Sequence, residues 1–223
     1  MGQFFSSNSA AAGARKGPWS RDLPRSWQAA LGLTEEEESA PLAAEDGAHR
    51  LGPSDGTLSL RTGRGGAAAK AGHDLLIRVT RWEAQLAVGE DAAGSRLTLD
   101  IDGGSLRVID GSGGMKALTD ADKADISTTI DDEILKREPI TFRSTQVQPS
   151  ADGSGLSVEG DLTLLGETRP VAFDVALGED GTITAATVIT QSRWGITPYS
   201  TLFGTLKVND DVAVEMTARL PSA

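Results

Sequence analysis

Two histidines, 32 carboxylates, 21 basic side chains and no cysteine bound the chemistry open to this chain. Without a thiol there is no disulfide scaffold, no thiolate zinc site, no iron–sulfur cluster and no cysteine nucleophile. Two imidazoles are too few for a histidine-rich metal centre. Of the pair, His73 has the more telling surroundings. In His73-Asp74-Leu75-Leu76-Ile77-Arg78-Val79 it shares parity with Leu75, Ile77 and Val79, so on a strand its ring faces the interior with them. Two roles suit that position: a polar contact for the head group of a bound molecule, or a structural histidine bonded to backbone at the rim of a barrel. Asp74 faces the opposite side of the strand and makes no relay with it. Catalysis of a modest isomerase or hydrolase type would require a carboxylate from another strand within hydrogen-bond reach of His73. His49 lies in a polar N-terminal segment and adds no second ligand.

The other polar motifs read as turns, caps and surface pairs. Gly111-Ser112-Gly113-Gly114-Met115-Lys116 lacks the spacing of a phosphate loop and, like Gly63-Arg64-Gly65-Gly66, reads as a flexible turn. Asp120, Asp122 and Asp125 lack the glutamate that completes a calcium loop, and a helix N-terminus accounts for them. Arg143 and Arg193 suit either a phosphate head group or a surface ion pair. No catalytic residue, metal or cofactor is therefore assigned. The net charge of −11 and pI near 4.6 exclude a nucleic-acid partner, whose phosphates need clustered Lys and Arg.

The elements that must hold these residues follow from the apolar period. With 223 residues the chain suits one large all-β domain and a tail. Residues 1–56 read as a mostly disordered tail of Gly, Pro, Ser and acidic residues, with a short helix near Trp27 that is either a docking motif or a simple helical turn. From Thr57 the period becomes two, the mark of half-buried antiparallel strands. Leu97, Leu99 and Ile101, then Leu106 and Val108, read as strand, turn, strand around Asp102-Gly103-Gly104. Leu156 to Leu164 and Val171 to Leu177 form a second hairpin, Thr182 to Thr190 is a β-branched strand, and Val212 to Leu220 follows the break Asn209-Asp210-Asp211. Between Leu118 and Glu138, Ile126, Ile130 and Ile134 recur every four residues, which makes one helix or two short ones. Thr119 caps it, Pro139 limits it, and Asp131 is a second cap if the Thr128-Thr129 pair breaks it.

About eight antiparallel strands with one helical excursion suit an up-and-down β-barrel of residues 57–223, since closure removes exposed sheet edges. A barrel of that size can hold one small or elongated ligand, or be filled by its own side chains. The inward candidates are Ile77, Val79, Leu99, Ile101, Phe142, Leu162, Leu164, Phe173, Val175 and Met216. Trp82, Trp194, Tyr199 and Phe203 suit a mouth or lining, or the two tryptophans plug the barrel. A filled barrel would serve as an interaction module that recruits a partner through its tail. No stretch approaches a transmembrane span, and a cytoplasmic location is expected.

One stretch carries a family resemblance. Gly160-Asp161-Leu162-Thr163-Leu164-Leu165-Gly166-Glu167-Thr168-Arg169-Pro170-Val171 resembles the G-D-L-T-[IL]-x-G-x-T-[RK]-P-V signature of the YceI-like family of polyisoprenoid-binding proteins. Pro139-Ile140-Thr141-Phe142-Arg143-Ser144-Thr145, Trp194-Gly195-Ile196 and Val208 to Val214 resemble the flanking pieces in the same order. Gln191 stands where the family often has an arginine, and the family's R-S-x-D-F-F helix end is replaced by Asp131-Asp132-Glu133-Ile134-Leu135. The resemblance implies a lipocalin-like antiparallel barrel whose channel holds an isoprenoid or similar lipid chain, and we expect binding without transformation. Gln191, from its place where the motif departs, and His73, from its strand parity, are the candidates for contact with the head group. A homodimer and a protein partner for the tail are both compatible with it.

Overall fold

The computed structural model describes residues 48–87, 92–150, 155–178 and 180–220; the expected helix near Trp27 lies outside them. The strands are β1 (Ala48–Leu51), β2 (Gly56–Gly65), β3 (His73–Val79), β4 (Trp82–Ala87), β5 (Arg96–Ile101), β6 (Leu106–Gly113), β7 (Ile140–Pro149), β8 (Gly155–Leu164), β9 (Glu167–Leu177), β10 (Thr182–Thr190), β11 (Ser200–Thr201) and β12 (Leu206–Arg219). They form one sheet in the order β1-β4-β5-β7-β8-β9-β10-β12-β2-β3-β6, with β11 paired to β12, and every pairing is antiparallel. The expected all-β, lipocalin-like fold is the one observed.

Closure depends on a bend that alternation does not reveal. The residues around Asp102-Gly103-Gly104 are not the tip of a hairpin. β3 runs into β4 through Thr80 and Arg81 alone, and β5 runs into β6 through Asp102–Ser105, so the four strands form one long two-stranded ribbon. The ladder continues across the join, because the Thr80 N–H donates to the Ser105 carbonyl at 2.9 Å and the Asp102 N–H to the Arg81 carbonyl at 3.2 Å. Gly103 and Gly104 are pushed out as a bulge, which kinks the ribbon. The Asp102 carboxylate accepts the Gly104 N–H and the Arg81 guanidinium, which together hold it below the ordinary aspartate range. Below the kink β3 leans on β2; above it β5 leans on β7. The bent ribbon thereby joins the two flanks of the curled sheet.

Gly103 is required at that corner by a neighbour. A Cβ there would overlap the carbonyl oxygen of Glu138, where the chain enters β7. Gly103→Ala is therefore expected to destabilise the protein by about 1–3 kcal/mol, the usual cost of overpacking against something that cannot yield. Thermal unfolding checks it, and a melting temperature equal to wild type would show that the corner has slack.

Three further expectations change. β1 falls inside the segment read as tail; it is four residues long, too short for a period to register, yet Leu51 is buried in the core and pairs with Ala84. Asn209-Asp210-Asp211 does not end a strand but makes a bulge within β12, where the register to β2 shifts between Val208 and Val212. The Gly63 and Gly111 segments are strand ends rather than flexible turns. A Cβ at Gly63 or Gly65 would sit 2.6 or 2.7 Å from the Asn209 amide, and one at Gly113 would overlap the Arg64 guanidinium. Glycine serves there for close approach rather than mobility.

The helical segment is α1 (Asp120–Thr129), continued by a π-type turn over Ile130–Ile134. Thr119 caps it as expected: its Oγ1 accepts the Asp122 N–H at 3.1 Å, and Asp122 Oδ2 accepts the Thr119 N–H at 2.9 Å. The Thr119 hydroxyl, donating to Asp122 Oδ2 at 2.7 Å, and then the Thr119 N–H hold the Asp122 carboxyl below its ordinary range. The Thr128-Thr129 pair does not break the helix, and Asp131 is not a second cap. Among the described residues no helix is long and apolar enough to cross a membrane.

Candidate ligand-binding cavity

A cavity of about 680 Å³ runs through the curled sheet. Its wall is built from cross-strand rows of inward side chains, because every second residue of each strand faces in. One row passes through Leu106, Val79, Leu58, Met216, Ala185, Val175 and Leu156 in register, and another through Ile77, Leu60, Val214 and Thr187. A third crosses Leu51, Ala84, Leu99, Phe142 and Leu162. Phe142 meets Phe173 with ring centroids 5.3 Å apart in a tilted contact. Ile101 and Leu164 also face the cavity.

Most of the polar wall residues gather at one end. Arg64, His73, Asp125, Thr129, Gln191, Tyr199, Thr201 and Lys207 line the cavity where β2 ends and β3 and β12 begin, and Tyr199, Thr201 and Lys207 are also exposed. This end is the mouth. His73 Nε2 lies 2.6 Å from the Lys116 carbonyl. A carbonyl can only accept, so Nε2 is the donor in this bond. Among the described residues no carboxylate is hydrogen-bonded to His73, and Asp74 turns away to accept the Arg64 N–H at 2.8 Å. Gln191 donates its Nε2 to the Asn209 carbonyl at 3.0 Å, which fixes its amide at the rim.

Trp82, Trp194 and Phe203 are placed differently from the rest. Neither tryptophan lines the cavity; both are buried in the hydrophobic core cluster with Leu58, Ile77 and Val79. The Trp194 indole N–H donates to the Leu162 carbonyl at 3.2 Å and so pins the turn Gln191–Trp194 against β8. The Trp82 indole N–H has no partner among the described residues. Phe203 projects fully into solvent. Arg143 pairs with Asp100 at 2.5 Å, and the Arg193 guanidinium stands 5.5 Å from the centre of the Trp194 ring; both are spent at the surface.

Other wall residues were not expected from the sequence. His49, on β1, lines the cavity far from His73, and nothing in its polar neighbourhood signals this. Ile126, Ile130 and Ile134 form the flank that α1 lays over the cavity; their four-residue recurrence shows a face that needs covering but not what covers it. The free edge of β6 holds the helix in place. The Val108 N–H donates to Ser127 Oγ at 3.0 Å and the Leu106 N–H to Asp131 Oδ1 at 3.3 Å, while Arg107 donates to Asp131 Oδ2 at 2.6 Å. The helix side chains thus satisfy edge amides that a further strand would otherwise bind. Gly52-Pro53-Ser54-Asp55-Gly56 has the spacing of a nucleophile elbow, but it is the tight turn from β1 to β2, and Ser54 Oγ bonds the Asp55 carboxylate rather than a histidine.

The model of the YceI-like domain family matches residues 66–220. Among solved structures, BcnA of Burkholderia cenocepacia is 18% identical, covers 75% of this chain and 96% of its own, and superposes with a TM-score of 0.53, which shows a shared fold. Looser matches are a polyisoprenoid binding domain from Saccharophagus degradans implicated in plant cell wall breakdown (10% identity, 79% of this chain and 100% of that one, TM-score 0.45) and a Campylobacter jejuni YCEI protein (18%, 66% and 85%, 0.44). No curated protein matches the sequence.

Proposed function

This chain belongs to the YceI-like domain family, and from that premise we propose that it binds and carries one elongated apolar molecule, an isoprenoid or isoprenoid-quinone type of lipid, without transforming it. The observation that carries the reading is the 680 Å³ cavity, with aliphatic and aromatic walls along its length and polar groups concentrated at the mouth. Its volume falls in the ordinary range for a small-molecule site. Removing apolar surface from water supplies the affinity at about 25 cal/mol per Å², and such a tube separates chains by girth more than by pattern. Ile77, Val79, Leu99, Ile101, Phe142 and Leu162 hold the chain in this proposal, together with Leu164, Phe173, Val175 and Met216. The His73 ring, Gln191 and Tyr199 face its head group.

The hydrogen bonding of His73 favours binding over catalysis. Catalysis would need a carboxylate from another strand within hydrogen-bond reach of His73, and among the described residues the ring bonds the Lys116 backbone carbonyl instead. The cavity itself argues against a filled barrel acting only as an interaction module. The experiment is to purify the protein from its native host, extract it with organic solvent and identify bound lipid by mass spectrometry. About one isoprenoid-type molecule per chain is expected. A folded protein that carries no lipid, and that takes up no farnesol or ubiquinone when offered them, would sink the reading.

A further inference from the structure

We propose that the mouth end of the barrel docks on the surface of a lipid bilayer, inserting Phe203 and Met115 beside the opening. The inference rests on the lipid-carrying reading above. A single exposed apolar side chain is ordinary, but several grouped beside an opening mark an interaction site, and three of the four large apolar side chains exposed among the described residues stand at the mouth. Phe203 is 108% exposed, Met115 is 85% exposed, and Tyr199, which lines the cavity, is 49% exposed.

Strand pairing puts them together at the mouth. Met115 lies two residues beyond Gly113, which pairs with His73 at the start of β3. The Lys116 carbonyl next to it holds the His73 ring. Phe203 lies in the turn Leu202–Gly204 that leads into β12, whose first residues Lys207 and Val208 pair with Gly65 and Arg64. Arg64 ties the two sides by donating to the Gly72 and Ser112 carbonyls at 2.9 and 2.8 Å. The loops bearing Met115 and Phe203 therefore flank the opening into which Tyr199 and Lys207 face.

The Phe203 backbone adds a second observation. Its φ of 56° and ψ of 35° lie in the left-handed region, which a bulky aromatic side chain enters at a cost. In that conformation the ring is fully exposed among the described residues. A bilayer is the partner that fits, because a ligand of the proposed class resides in membranes and must cross an interface to reach the cavity. An aromatic ring and a thioether at the opening would replace water along that route. Charge does not select the surface: Arg64 and Lys207 share the cavity wall with Asp125, Lys116 stands close enough to Asp122 to act on its carboxyl, and the whole chain carries −11. Apolar insertion rather than attraction to anionic lipid should drive binding, so zwitterionic vesicles should suffice and salt should matter little.

The test compares the full chain with the double variant Phe203→Ser, Met115→Ser in two readouts. Co-sedimentation with phosphatidylcholine vesicles should fall at least about tenfold in the variant, equivalent to about 1.4 kcal/mol. Uptake of radiolabelled free farnesol, offered below its solubility limit, should be the same for both proteins. A wild type that stays in the supernatant, or a variant that sediments equally well, overturns the docking surface whatever farnesol does. Farnesol failing to bind the wild type overturns the carrier reading instead, so the two failures are distinguishable.

Discussion

Asp131→Ala is expected to lower the stability of the protein by about 2–4 kcal/mol, more than any other single side-chain deletion along the helix. Asp131 is 3% exposed at its side chain, and both its oxygens are engaged, one by the Leu106 N–H and one by Arg107. Alanine would leave the Leu106 amide unpaired at the edge of β6 and a guanidinium without its counter-charge. Arg107 is 43% exposed, so water takes over part of its solvation, which keeps the estimate below that for a fully buried pair. The loss is structural at one place: α1 keeps its Thr119 cap and the Ser127 bond but loses the second of its two ties to β6. Urea unfolding with an unchanged m-value checks the magnitude, and faster hydrogen exchange at the Leu106 and Val108 amides checks the location. Asp131→Asn, which retains an acceptor for Leu106, should recover about half of the loss. An alanine variant within about 0.5 kcal/mol of wild type would show that packing of Ile126, Ile130 and Ile134 alone holds the helix.

Filling the cavity should have the largest effect on function. Ala185 is the smallest member of the row from Leu106 to Leu156, facing Val175 on one side and Met216 on the other. Ala185→Trp places an indole where the proposed chain would lie. Bound lipid should fall at least tenfold, which is about 1.4 kcal/mol, while the melting temperature stays level or rises, since apolar atoms then occupy a void. Thr184→Trp, one residue away on the outward face, should leave both quantities unchanged. Lipid content at wild-type levels in the Ala185→Trp protein would mean that the ligand, if any, lies elsewhere. A sharp loss of stability would mean that the wall cannot accept the ring at that level.

Much of the local structure was legible because its causes are local. β10 covers Thr182–Thr190, the run read from its β-branched residues. Thr119 caps α1, since a hydroxyl followed three residues later by a carboxylate closes the capping box from within one turn. The inward parity of Leu99, Phe142, Leu162, Val175 and Met216 follows from the two-residue pleat, so each reaches the cavity wall. The Gly160 to Val171 stretch pointed to the family whose model matches residues 66–220.

What the sequence left undecided depends on which distant residues meet. Leu97 to Val108 alternates as a hairpin would, but Asp102–Ser105 is a corner of a longer ribbon, because Gly103 is packed under Glu138 and β5 finds β7 rather than β6. His49 reaches the wall only because β1 pairs with β4, and Trp194 is core rather than lining because the turn after β10 folds back on Leu162. Alternation states which side of a sheet a residue faces; it carries no information on what stands opposite. Whether the barrel is hollow is set by the sum of side-chain volumes across strands as distant as β3 and β10, and that sum is defined only once the long-range pairings have closed around it.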